Sequence, residues 1–92
     1  MIVRIATEGQ YEISDDVAAT LNDLDNRAVS AVEAGDEAGF RELFGQMLEL
    51  IERDGSPLPD DQLAASEVIV PPRDITFDEA RAEFTGEGLI PE

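Results

Sequence analysis

The sequence predicts an α+β domain, with an N-terminal β-hairpin packed on an antiparallel pair of helices and a short C-terminal helix. Three observations carry this. Residues 1–14 alternate and are rich in β-branched side chains; residues 15–54 carry apolar side chains at helical spacing on both sides of an Ala34-Gly35-Asp36 break; and the pattern shortens sharply after Gly55. A length of 92 residues suits a single domain, 1–92, with one modest core.

The hairpin is read from Met1-Ile2-Val3-Arg4-Ile5-Ala6-Thr7, where Val3 and Ile5 flank Arg4, and from Tyr11-Glu12-Ile13-Ser14. Glu8-Gly9-Gln10 between them is expected to turn the chain, because it holds the glycine a short hairpin loop uses.

Ser14 is a good N-cap, and Asp15 and Asp16 then fall in a first helical turn, where the helix dipole favours negative charge. Val17, Leu21, Leu24, Ala28 and Val32 share one face of that helix, and Gly35 supplies its C-terminal stop. Asp36 caps the second helix. Phe40, Leu43, Phe44, Met47, Leu50 and Ile51, widened by Leu48, form the strongest apolar stripe in the chain, with Glu42, Glu49 and Arg53 opposite. Such a stripe can dock a partner helix, but it is more simply the domain's own core. Asp23–Arg27, Glu37–Arg41 and Glu49–Arg53 are spaced for i,i+4 ion pairs with the acid first, the favourable order.

Residues 55–92 open with Ser56-Pro57-Leu58-Pro59-Asp60-Asp61, which is turn chemistry. Val68-Ile69-Val70 is β-like and is stopped by Pro71-Pro72; with Glu67 it is expected to extend the hairpin as a third short strand at about 67–70. Thr76-Phe77-Asp78-Glu79 reads as a capping box opening a short helix to about Phe84. Gly86 and Gly88 break it, leaving Leu89-Ile90-Pro91 as an apolar tail.

Composition narrows the function. There are 22 Asp+Glu against 6 Lys+Arg, a net charge of −16, and every basic residue is Arg. Nucleic acid is a poor partner, since its binding rests on Lys and Arg neutralising phosphates. An anionic membrane surface repels the chain in the same way, and no apolar run is long enough for direct insertion. The absence of His and Cys removes the imidazole base, the thiolate nucleophile and the usual zinc sites. No cofactor motif is present. Asp23-Leu24-Asp25-Asn26-Arg27 starts like a calcium loop but fails it, with Arg27 in a ligand place and Ala28 where the glycine belongs. Asp60-Asp61 has an ordinary turn or cap role beside its metal or proton-sharing one. The expectation is a non-enzymatic protein without metal. The acidity itself reads either as steering toward a basic partner or as the coat of a salt-adapted protein. The acids are spread along the whole chain, which favours the coat.

Six residues are candidates for partner binding. Tyr11 is the only tyrosine and serves either as an interface anchor or as half-buried core. Val68, Ile69 and Val70 form a short apolar strand of the kind that receives partners at a sheet edge, and the same edge allows a symmetric homodimer by strand pairing. Leu89 and Ile90 are the apolar tail.

Taken in order, Met1-Ile2-Val3-Arg4-Ile5, Glu8-Gly9-Gln10-Tyr11-Glu12, Leu24-Asp25, Ala34-Gly35-Asp36, Gly55-Ser56-Pro57-Leu58-Pro59-Asp60, Ser66-Glu67-Val68-Ile69-Val70-Pro71-Pro72 and Glu87-Gly88-Leu89-Ile90-Pro91 resemble the PspA-associated family (PspAA) across the whole chain. The resemblance implies a non-catalytic, cytoplasmic adaptor of the envelope-stress response. Its partner would be PspA, a protein of long coiled-coil helices, and it would meet the inner membrane face only through that partner. It brings no catalytic residues. Two rival classes stand beside it: an acidic nucleic-acid mimic inhibiting a basic DNA-binding or regulatory protein, which needs acids in a dense stripe, and a carboxylate-based or metal-dependent enzyme, which needs acids converging in a pocket.

Overall fold

A computed structural model describes residues 1–59, 66, 68–84, 88 and 89. Its elements run β1 (Ile2–Ile5), β2 (Gly9–Glu12), α1 (Asp15–Glu33), α2 (Glu37–Asp54), β3 (Ser56–Pro57), β4 (Val68–Val70) and α3 (Phe77–Glu83). The strands form one mixed sheet in the order β3-β2-β1-β4, and the helices pack against it, so the fold is α+β as expected.

The hairpin forms, but its turn lies earlier than Glu8-Gly9-Gln10. Ile5 pairs with Gly9, so residues 6–8 make the turn, closed by the Glu8 N–H donating to the Ile5 carbonyl at 2.9 Å. Gly9 opens β2 with φ +127°, a conformation that L side chains rarely adopt. The reason lies at the far end of the ladder. Ser14 caps α1, its hydroxyl accepting the Val17 N–H at 3.3 Å, so residues 15 and 16 are taken by the helix. Only the earlier turn lets all of β1 find partners, down to the Ile13 N–H donating to the Met1 carbonyl at 2.9 Å.

The third strand is also present, as residues 68–70 alone, and it lies parallel to β1 with Val3 beside Val68 and Ile5 beside Val70. Glu67 lies outside the described residues, as do Asp60-Asp61 and Ile90. Parallel pairing is open to β4 because the long connection through the helix pair supplies the crossover that parallel strands need. The fourth strand corrects the reading of residues 56–57 as turn. Pro57 pairs with Tyr11 and Ser56 with Glu12, and the Leu58 N–H donates to the Gln10 carbonyl at 2.9 Å. A two-residue Ser-Pro strand has no alternation to read, and proline is tolerated because this is a sheet edge.

One face of the sheet is buried. Val3, Ile5, Val68 and Val70 are buried in one core with Leu21 and Ala28 of α1 and Phe40, Met47 and Ile51 of α2. The apolar stripes of α1 and α2 are therefore spent on the domain's own core. The four phenylalanines gather in one cluster. Phe84 stands edge-on to Phe40 at 5.0 Å and to Phe44 at 5.9 Å, and Phe77 lies 6.0 Å from Phe40. This cluster fixes α3 against α2.

The caps are where the sequence places them. The Asp36 carboxylate accepts the Gly39 N–H at 3.0 Å, and a Cβ on Gly39 would fall 2.3 Å from that carboxylate. Thr76 and Glu79 exchange both bonds of a capping box, each at 3.1 Å. The expected ion pairs form unevenly. Arg27 meets Asp23 at 3.1 Å, Arg53 lies closer to Asp54 (3.3 Å) than to Glu49 (3.9 Å), and Arg41 stacks over the Phe40 ring at 5.7 Å.

Candidate partner-binding surface

The alternation of β4 divides the sequence candidates between the two faces of the sheet. Val68 and Val70 are buried at 3% and 0% exposure, whereas Ile69 between them is 62% exposed. Tyr11 lies on the inward face of β2, half-buried between Val3 and Pro57. Leu89 is half-buried and held elsewhere: its N–H donates to both carboxylate oxygens of Asp25 on α1, at 2.9 and 3.0 Å. The five candidates among the described residues therefore do not form one patch. Ile69 is the exposed large apolar side chain among the described residues.

Ile69 is one of the residues that line a groove of about 330 Å³. Pro71, Pro72 and Ile75, from the segment that carries the chain from β4 to α3, line it too, with Ala6 of the hairpin turn. Part of the lining is acidic. Glu79 and Glu83, one helical turn apart, line the groove from α3. Thr76 holds the Glu79 carboxyl below the usual carboxylate range, first through its backbone N–H and then through its hydroxyl. Among the described residues, Glu83 has no charged partner. On the outer sheet face Arg4 is the neighbour of Ile69 across the β1–β4 pair, and it is exposed.

A second region gathers charge differently. Arg73 reaches back to the hairpin turn and forks onto Glu8 at 2.7 and 2.9 Å, and it also meets Glu52 of α2. The Glu8 hydrogen bond is the main cause of its raised affinity for the proton. With Arg53, Glu49 and Gly45 these groups border an open cavity of about 480 Å³. Its cations are matched by acids, so it reads as a clasp between the hairpin turn, α2 and the 71–76 segment.

The groove was visible in the sequence only in part. Pro71-Pro72 ends a β-like run and marks the spot, but Ala6, Ile75, Glu79 and Glu83 join it through the tertiary path and carry no signal of their own. Asp25 is the other residue that pattern reading passes over. It is 0% exposed on a helix whose neighbouring acids are solvated, and a Cβ on Gly88 would fall 2.6 Å from its carboxylate. Asp23, two residues earlier, pairs with Arg27, so the two aspartates of the failed calcium pattern face different ways. Among the described residues no three acids converge as a metal site needs, and no helix is long and apolar enough to cross a membrane.

A comparison with curated proteins and with solved structures found no match. The family model described as PspA-Associated protein (PspAA) matches residues 1–92, and the chain belongs to that family.

Proposed function

We propose that this member of the PspA-associated family is a non-catalytic adaptor that binds PspA and adjusts its part in the response to membrane stress. The match of the family model over residues 1–92 is the observation that carries this reading. The charge supports it in a second way. A chain of net charge −16 is repelled by anionic lipid and by a second copy of itself, so its productive encounters are with basic protein surfaces. Contact with the inner membrane face is then indirect, through PspA. The spread of acids over the surface raises the encounter rate more than the affinity, so association slows as salt rises.

The test is co-elution of the full chain with PspA from the same organism, followed by light scattering of PspA assemblies with and without it. Co-elution and a changed assembly size are the expected results. Separate elution with unchanged scattering contradicts the proposal, and an association rate independent of salt contradicts the steering part of it.

A further inference from the structure

We infer that the groove beside Ile69 is a docking site for an α-helical segment that presents an aliphatic side chain flanked by Lys or Arg. This deepens the adaptor reading and rests on it only for naming PspA as the source of that segment. The groove's own chemistry points to the occupant. Its lining includes the apolar Pro71, Pro72 and Ile75, and Ile69 in the same lining is 62% exposed, although the other aliphatic residues of β4 are buried. An aliphatic side chain entering there removes that surface from water. The α3 wall then fixes the charge. Glu79 and Glu83 face the groove one turn apart, and Glu79 is held in its charged form by Thr76. Cations one turn apart on a partner helix meet that spacing.

Arg4, across from Ile69 and outside the groove, adds a direction. The partner's acids belong on the β1 side and its bases on the α3 side. Other occupants fit less well. A second copy brings another −16 of charge against an acidic wall. An extended strand added beside β4 finds only three residues, followed by two prolines that have no N–H to donate. The groove therefore takes side chains from a helix.

The experiment titrates the full chain with PspA and, in parallel, with a synthetic Leu/Lys amphipathic helix. Four proteins are compared: wild type, Ile69→Asp, Glu83→Arg and, as a control of equal charge change, Glu42→Arg on the exposed face of α2. Ile69→Asp is expected to weaken both ligands about tenfold or more, and Glu83→Arg about fivefold. Glu42→Arg is expected to stay within about twofold, and thermal melts of all four to coincide within a few degrees. Wild-type binding to PspA with Ile69→Asp and Glu83→Arg equal to it overturns the groove while leaving the adaptor reading intact. Equal losses in Glu83→Arg and Glu42→Arg also overturn it, because the charge effect is then global. Groove-dependent capture of the Leu/Lys helix without binding of PspA supports the groove and contradicts the adaptor reading.

Discussion

The two-helix unit and the segment from residue 55 onward are held in different ways. In α1 and α2, cohesion is distributed: Leu21, Ala28, Phe40, Met47 and Ile51 recur at helical spacing and all reach the same core. Beyond Gly55, short separate segments reach the same core with a few residues each, Val68 and Val70, Ile75, Ala80 and Phe84. β4 joins β1 through three residue pairs, Arg73 clasps Glu8 and Glu52, the Phe84 ring enters the α2 aromatics, and Asp25 receives the Leu89 N–H. A periodic region stabilises itself along its whole length. A region pinned at points leaves surface between the pins, and the groove beside Ile69 lies there. The contrast recurs within β4, where Val68 and Val70 face the core and Ile69 faces solvent.

The largest expected effect breaks the contrast by striking where the regions meet. Phe40 is fully buried and touches Phe44, Phe77 and Phe84, so Phe40→Ala removes the helix-pair core and the anchor of α3 together. A loss of about 3–5 kcal/mol in a single transition is expected from chemical denaturation. Two separate transitions would mean that the regions are less coupled than the aromatic cluster implies.

Asp25→Ala sharpens the contrast. It leaves the half-buried Leu89 N–H without its acceptor, at a cost of about 1–3 kcal/mol. Hydrogen exchange at Leu89 should accelerate, while α2 amides at Met47–Ile51 keep their protection relative to the global stability. Uniform acceleration across both sites would place Asp25 in the central core.

The smallest effect concerns α3. Thr76→Ala removes half of the capping box and is expected to cost about 1 kcal/mol. The same box gives α3 an acid sensitivity. Glu79 is depressed in the folded protein below its usual 4.5, so its contribution is fully present above that value and is lost as pH falls through the lower folded value. Glu79→Gln should flatten that part of the stability profile below pH 4.5, and an unchanged profile would assign the acid sensitivity to other carboxylates.

What was legible in the sequence follows the same division. Helical spacing, Ser14, Asp36 and the Thr76–Glu79 box placed all three helices, because each signal is local. The hairpin was legible but not its turn, since the glycine that marks a turn is used instead as the first residue of β2, paired with Ile5. β3 was missed because two residues carry no period, and the parallel placement of β4 depends on a crossover through two helices. Among the candidate binding residues, alternation alone separates Ile69 from Val68 and Val70 once the inward face is known. Asp25 had no such signal: among so many acids its burial is invisible until Gly88 and Leu89 close over it.

The most direct test of the account is hydrogen exchange on the complex of this chain with PspA. Protection is expected to rise at residues 69–75 and 79–83, with little change on the exposed face of α2 around Glu42 and Glu49. Protection confined to that α2 face, with residues 69–83 exchanging as in the free protein, would contradict it.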